Sequence, residues 1–250
     1  MAKYEIKDGV GIIPEGITKL DWSAFEGCAE LTSVVIPDSV TEIENFAFKG
    51  CTGLTSIVIP DSVTEIGWNV FEGCTGLTSI VIPDSMTEIS NSAFFDCTGL
   101  TNIVIPESVM EIQSHAIRGC TGLTSIIIPS SVTKIEYCAF WGCTGLTSIV
   151  IPDSVTEIGD YAFRFCSGLK TVSILGPVKT MKETFEYCSS LESVTLGVGI
   201  KKMDGVFDGC SSLKTINVPA KKADYSKNRL PMSLHSLIVE LPAEKKAKKK

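Results

Sequence analysis

A cysteine recurs along this chain at an almost fixed interval. Six of the eight intervals are 23 residues and two are 22, counted over the cysteines at positions 28, 51, 74, 97, 120, 143, 166, 188 and 210. A fixed period in this range is typical of proteins built from stacked coils, in which each repeat contacts only its neighbours. The chain is therefore predicted to form a solenoid.

Each unit carries apolar residues in the order expected of one short strand. In the unit that starts at Cys51, the residues Leu54, Ile57 and Ile59 follow, and the last two are separated by one outward position. Because successive side chains of a strand point to opposite faces, all three are predicted to point inward. Pro60 lacks an amide hydrogen, so it is expected to end the strand at a corner.

The second half of each unit returns the chain to the next strand. Val63 and Ile66 are predicted to point inward across the coil, and Phe71, three residues before the next cysteine, fills the third side. The stretch that contains this phenylalanine is expected to be a short helical turn or loop. The predicted fold class is a mainly β repeat solenoid with one parallel β-sheet face and short turns or helical segments on the other side.

The two ends depart from the repeat, as expected where a solenoid needs caps. Residues 1–28 are predicted to be an N-terminal capping repeat, and residues 29–219 the solenoid of 22- to 23-residue units. Residues 220–242 are predicted to form a C-terminal cap of a short helix and a last strand, with Leu234, Leu237 and Val239 at strand positions. Residues 243–250 form a lysine-rich tail.

The unit resembles that of the BspA-like leucine-rich repeat family. That family's unit has the pattern LxxIxIPxxVxxIgxxAFxxC, which the segment LTSIVIPDSVTEIGWNVFEGC from Leu54 to Cys74 follows closely. The resemblance covers about residues 8–219 and nine units. It implies a right-handed leucine-rich-repeat superhelix with a parallel sheet on one face. It also implies a binding or adhesion role, since many family members are microbial surface proteins that attach to host proteins.

Composition and charge exclude several functions. No apolar run approaches the roughly 18 residues of a membrane span, so no span is predicted. The start, MAKYEIKDGV, has no apolar signal region, which predicts a cytoplasmic protein, or a surface or secreted one if a signal was removed. The net charge is −7 and the tail contributes +4, which leaves −11 for the other 242 residues. An acidic body repels phosphate backbones, so nucleic acid is not expected as a partner.

Neither the cysteines nor the histidines form a pattern typical of a catalytic or metal site. His115 and His235 lie in no catalytic motif, and no two cysteines have the close spacing of zinc ligands. We expect no catalytic residues, metal or cofactor. The cysteine column is predicted to be a row of buried, reduced thiols. Cys138, which lies at a variable loop position, is predicted to be an exposed free thiol.

Other positions carry the same type of residue in most units, and a role can be predicted for each of them. The glycine two residues after most cysteines, as in Gly53, Gly76 and Gly99, indicates a turn with positive φ. Glu30, Ser190 and Ser212 occupy the same place in other units, so the glycine is interpreted as a preference. Acidic residues form two columns that are interpreted as solvated faces, with a row of cation sites as the alternative. These columns contain Asp38, Asp61, Asp84, Glu107 and Asp153, and Glu42, Glu65, Glu88, Glu111 and Glu157.

Two surfaces are candidates for binding a partner. The first is the outward side of the sheet, an uncharged face of serine and β-branched residues that is either a packing ladder or a contact surface. Its predicted residues are Ser56, Val58, Ser79, Val81, Val104, Ile127 and Val150. The second is a set of variable, aromatic-rich loops whose side chains either cover their neighbours or anchor a partner. Its predicted residues are Phe46, Trp68, Phe95, His115, Arg118, Tyr137, Trp141, Tyr161 and Arg164, with Phe165 beside them.

The sequence therefore predicts a non-enzymatic protein–protein interaction module, with a role like that of a microbial surface adhesin as one form of it. The alternative is a structural or self-assembling repeat protein without a dedicated ligand. A protein partner of unknown identity and a monomeric state are the favoured expectations.

Overall fold

A computed structural model of the protein describes residues 2–242, and the predicted lysine-rich tail lies outside them. The chain winds into a parallel β-solenoid, which confirms the predicted fold class. The long strands that stack along one face are Val10–Ile12, Ser33–Val35, Ser79–Val81, Asn102–Val104, Ser148–Ile151, Thr171–Ile174, Ser193–Leu196, Thr215–Val218 and Ile238–Glu240. We call this the long-strand face.

Equivalent residues of successive coils pair directly with one another. Ile80 pairs with Ile103 in parallel register, and Val81 pairs with Val104. Two coils keep the same burial pattern without a full ladder. Residues 56–59 hold only one bridge, between Val35 and Val58, and residues 125–128 form no strand.

A second column of strands runs along another side of each coil. Its members are Lys19–Leu20, Glu42–Ile43, Glu65–Ile66, Glu88–Ile89, Glu111–Ile112, Lys134–Ile135, Glu157–Ile158, Thr180–Lys182 and Lys202–Asp204. The prediction of a single sheet face is therefore incomplete. Most of these strands have two residues, with one isoleucine inward and one charged residue outward, which is too short to show alternation in a sequence.

The third side of each coil is a run of turns that buries one large side chain per coil. Phe25, Phe48, Phe71 and Phe94 stack with ring centroids 5.4–5.5 Å apart and planes within 6° of parallel. Ile117 interrupts the column, and the phenylalanines resume at Phe140, Phe163, Phe185 and Phe207. These rings and the leucines and isoleucines of the strands form one continuous core along the axis.

The cysteine column has a structural explanation. From Cys51 onwards, each thiol of the cysteine column donates a hydrogen bond to a main-chain oxygen of the preceding coil, at 2.9–3.2 Å. The acceptor residue lies three positions before the cysteine of that coil. Burial raises the pKa of Cys97 and Cys143 to about 12. Cys138 is also buried, so the prediction that it is exposed is wrong. Its thiol lies beside the side chain of Tyr137, and burial raises its pKa as well.

Native labelling with an alkylating reagent should therefore be slow for the thiols. All ten cysteines lie in the described part of the chain, and nine of them are buried. We expect Cys210, which is half-buried, to react first. Cys138 should react as slowly as the buried thiols of the cysteine column, because burial disfavours the reactive thiolate. Mass spectrometry after timed labelling measures this order. Rapid modification of several buried cysteines would contradict the described packing.

The glycines two residues after the cysteines, such as Gly53 and Gly76, do not have the predicted positive φ. The left-handed glycines instead lie one residue before the cysteine, as at Gly50 and Gly73. A Cβ atom added to Gly99 would collide with the carbonyl oxygen of Thr75 in the preceding coil. Glycine is present there because two coils approach closely.

A pair of substitutions separates these two requirements for glycine. Gly145→Ala would drive a Cβ atom into the carbonyl of Thr121, and we expect it to lower the free energy of unfolding by about 1–3 kcal/mol. Gly142 has a φ of +71° with open space around it, and asparagine tolerates that conformation. Gly142→Asn should cost less than about 1 kcal/mol. Urea denaturation measures both, and a larger loss for Gly142→Asn would refute the explanation.

The two ends are closed differently. Strand Glu5–Lys7 pairs antiparallel with Val10–Ile12 at the N-terminal end. At the other end lie a helix, Ala223–Lys227, and a 3-10 helix, Met232–Leu237, ahead of the last strand. The limits of the predicted domains remain a prediction.

The last strand differs from its predicted register by one residue. Ile238 pairs with Ile216, and Glu240 pairs with Val218. The predicted strand residue Leu237 instead ends the 3-10 helix, and Val239 points outward and is exposed. Because the 3-10 helix extends to Leu237, the strand begins one residue later than the sequence pattern indicates.

Candidate interaction surfaces

The long-strand face carries a continuous row of exposed β-branched side chains, which we call the apolar stripe. Val58 is 78% exposed and Ile127 is 83% exposed. The row ends where Ser173 pairs with Val150, and Thr195 and Asn217 continue the column with polar side chains. Its members are Ile12, Val35, Val58, Val81, Val104, Ile127 and Val150. The structure thus places every predicted valine and isoleucine in one row and adds Ile12 and Val35.

The serines of the sheet face lie beside the stripe. Ser56 and Ser79 are exposed, and Ser79 is in register with Asn102. The stripe is least regular at Ile127, where the chain forms no strand. An open cleft of about 530 Å³ lies there, between residues 125–128 and the side chains of Val150 and Leu175.

The predicted loop residues fall into three columns on the turn side of the coils. Phe46, His115 and Tyr161 occupy the position five residues before the cysteine, where every coil places a residue in the left-handed region. Trp68 and Tyr137 occupy the preceding position. The amide of Phe46 donates to the carbonyl of Trp68 in the next coil at 3.0 Å, so the columns stay in register.

The third column lies two residues before the cysteine, and its two arginines stack on aromatic rings. The guanidinium carbon of Arg118 lies 5.0 Å from the ring centroid of Phe95 and 4.3 Å from that of Trp141. The guanidinium carbon of Arg164 lies 4.9 Å from the ring centroid of Phe165 and also approaches two tyrosines. These distances are within the range of cation–π attraction.

Ring contacts join the three columns into one patch, together with Phe165 and Tyr187 of the column one residue before the cysteine. His115 lies 5.3 Å from Tyr137, which lies 5.7 Å from Tyr161, and Trp141 lies 5.3 Å from Phe165, measured between centroids. We call this patch the aromatic–arginine cluster. It contains Phe95, His115, Arg118, Tyr137, Trp141, Tyr161, Arg164, Phe165 and Tyr187.

Two of the predicted loop residues lie apart from this cluster. Phe46 packs with Trp22 at the N-terminal end of the solenoid, at 5.2 Å between ring centroids. Trp68 is 61% exposed, and within residues 2–242 its ring has no aromatic contact. Sequence reasoning missed Tyr187, although a tyrosine in a column occupied mostly by glycine was a visible signal.

A comparison with known families decides which repeat this is. The sequence profile described as BspA type leucine rich repeat region, with six copies, matches residues 18–147 and 118–230. The chain belongs to this family. Among the solved structures, a T. pallidum leucine rich repeat protein is 33% identical, with a TM-score of 0.52 over 73% of this chain and 78% of that chain.

Two other solved structures share the fold of this BspA-type protein at lower identity. A leucine-rich repeat protein from Bacteroides ovatus is 24% identical, with a TM-score of 0.54 over 90% of this chain and 78% of that chain. The pneumococcal vaccine antigen PcpA is 17% identical, with a TM-score of 0.53 over 86% of this chain and 68% of that chain. No curated protein matches the chain.

The BspA-type unit departs from its own pattern at the cluster. Asp96, Phe165 and Tyr187 take left-handed φ values of 55–61° at the position that most coils fill with glycine. A left-handed backbone disfavours larger residues, by roughly 1 kcal/mol each, because Cβ approaches the following carbonyl. Phe165 shares the coil of Arg164, Asp96 lies in the coil before Arg118, and Tyr187 lies in the coil after Arg164. The three residues therefore lie in or next to the coils of the stacked arginines, which is the pattern expected where function overrides local preference.

Charges within the cluster are unevenly compensated. Arg164 forms an ion pair with Glu186 of the next coil, at 2.7 Å between Nε and Oε2. Burial raises the pKa of Glu186, although Arg164 acts in the opposite direction. Burial, followed by the nearby charge of Arg118, lowers the pKa of His115, so this imidazole is neutral at pH 7.

The acidic columns lie on exposed sides of the solenoid. Glu42 and Glu65 pair in register, as do Glu88 and Glu111, so carboxylates stack along the short strands. At the N-terminal end of this column Lys19 contacts Glu42 at 2.9 Å. Among residues 2–242 there is no group of three histidine, cysteine or acidic residues arranged to hold a metal ion. The same residues include no helix with the length and hydropathy to cross a bilayer.

Proposed function

We propose that this BspA-type repeat protein is a non-enzymatic module that binds another protein through the aromatic–arginine cluster. The observation that carries the proposal is the cluster's composition on a rigid frame. Tryptophan, tyrosine and arginine dominate the energetics of protein interfaces, and here they lie in contact across four consecutive coils. Their backbones are held by hydrogen bonds between coils, which limits the ordering cost of binding.

Membership of the BspA-type family supports an adhesin-like form of this role, at a microbial surface. The stacked arginines are also better suited to protein recognition than to catalysis. Arg164 is already neutralised by Glu186, and His115 has its pKa lowered and contacts Arg118 at 3.4 Å. The cluster's residues include no nucleophile paired with a base, and covalent catalysis requires such a pair.

Self-assembly is the second candidate, and the apolar stripe favours it. Seven exposed β-branched side chains in one row could pair with the stripe of a second copy. Light scattering during size-exclusion chromatography separates the two candidates. We expect a monomer at high protein concentration, whereas a dimer that Val81→Lys with Val104→Lys dissociates would favour self-assembly.

A selection experiment tests the proposed function directly. The protein is immobilised and a random peptide library displayed on phage is enriched on it. We expect the enriched peptides to compete for one surface and to slow hydrogen exchange in residues 92–97, 115–120 and 137–143. A library that yields no binder, or binders that protect only the long-strand face or the caps, would contradict the assignment.

A further inference from the structure

We propose that Arg118 is the anion-binding centre of the aromatic–arginine cluster and that the partner supplies a carboxylate to it, from an aspartate or glutamate beside an apolar residue. This inference rests on the proposed function and adds the chemistry of the partner. It starts from a difference between Arg118 and the other cations of the same column.

Three cations occupy the position two residues before the cysteine. In two cases the next coil supplies a carboxylate at the same position. Lys49 contacts Glu72 at 3.1 Å, and Arg164 contacts Glu186 at 2.7 Å. The next coil after Arg118 carries Trp141 there. In this column, two cations are each followed by an acid in the next coil. The third cation, Arg118, is followed by a tryptophan instead of an acid.

No carboxylate of the described residues lies within 4.0 Å of the Arg118 guanidinium. An acid that acts electrostatically with Arg118 is Asp96, whose side chain lies over Gly119, where an added Cβ atom would overlap its Oδ1. Burial raises the pKa of Asp96, and Arg118 only partly offsets this. Asp96 therefore does not take the place that Glu186 has beside Arg164.

Phe95 lies in the coil before Arg118 and Trp141 lies in the coil after it. Their rings lie against the two sides of the Arg118 guanidinium. Stacking of this kind fixes the guanidinium plane and leaves its N–H groups at the edge, where they suit the two oxygens of one carboxylate. His115, whose Nδ1 lies 3.4 Å from Nη1, is one neighbour along that edge. The two rings also offer an apolar surface for the residue next to the acid.

A single guanidinium fits a carboxylate better than a phosphate, because phosphate-binding sites in proteins usually gather several cations. The other two cations of the column are already paired. The net charge of −7 disfavours binding of an acidic segment to the protein in general, so Arg118, a cation unpaired within residues 2–242, is the place where such a segment is expected to bind.

The test uses the full chain and the peptides selected on it. We expect these peptides to be enriched in aspartate or glutamate beside an apolar residue. Replacing the acid by its amide should weaken each peptide about 10-fold or more, because a hydrogen-bonded charge pair is lost. Arg118→Gln should have the same effect, and it should not add to the loss caused by the amide peptide, since both changes remove one contact.

Lys49→Gln is the matched control. It removes a cation that also stacks on a ring, in the same column, but one that Glu72 already neutralises. We expect it to change peptide affinity by less than about 2-fold, and thermal melting checks that both variants are folded. Peptides that need Trp141 but tolerate both the amide and Arg118→Gln would overturn the carboxylate inference and leave the proposed function intact. Selection of peptides that contact other faces would instead contradict the proposed function.

Discussion

Replacing Leu100 by alanine is expected to lower the free energy of unfolding by about 2–5 kcal/mol, because the truncated side chain leaves a cavity in a packed core. Leu100 is fully buried, and so are the equivalent leucines of the coils on either side, Leu77 and Leu123. Each coil packs against both neighbours, so a cavity in the middle of the stack weakens two interfaces. Urea denaturation followed by circular dichroism measures the change.

Two controls make this result specific. Val104→Thr changes an outward residue of the same coil and should cost less than about 0.5 kcal/mol. Leu213→Ala removes the same side chain near the C-terminal cap, where the leucine is only half-buried, so its cost should be smaller than that of Leu100→Ala. A loss below 0.5 kcal/mol for Leu100→Ala would show that this leucine does not pack as described.

The core of the protein was predictable because the chain contains many copies of one unit. Positions that stay constant among the copies, such as Leu54, Phe71 and Cys74, are the fully buried ones. The structure shows why each coil needs them. The leucine fills the centre, the phenylalanine stacks on its neighbours, and the thiol bonds to a carbonyl of the preceding coil.

Other features were not predictable, because they depend on backbone geometry that composition does not reveal. A glycine such as Gly99 reads as a turn residue, but it is required by the close approach of Thr75 from another coil. Cys138 looked exposed at a variable position, but it packs beside Tyr137. The strand Glu65–Ile66 is too short for a periodic pattern.

The candidate site was predictable in its residue types but not in its contacts. Variable aromatic positions were evident from the copies, and most of them belong to one patch. That Trp141 joins this patch while Trp68 stands apart depends on the different columns the two residues occupy. Their exposure alone would give the opposite ranking, since Trp68 is the more exposed of the two.

Trp141→Ala is therefore expected to weaken binding of a partner by at least about 2 kcal/mol, or roughly 30-fold in Kd. Trp141 covers Arg118 on one side and contacts Phe165 on the other, so its loss removes contact area and frees the guanidinium. Trp68→Ala removes an equally large but isolated side chain and should change Kd by less than about 2-fold. Titration calorimetry with a selected peptide measures both, provided that melting temperatures show folded variants.

The sheet face gives the contrasting result that decides between the two surfaces. Val81→Lys with Val104→Lys places two charges in the middle of the apolar stripe, where a dehydrated contact would not tolerate them. Both side chains point outward, so the fold should persist. If the partner binds the cluster, this double variant retains its affinity, because the long strands and the cluster lie on different sides of each coil.

Loss of binding in the double lysine variant, with binding kept in Trp141→Ala, would assign the partner to the stripe and reject the cluster. Affinity that survives both changes would reject both surfaces and direct attention to the acidic columns and the caps.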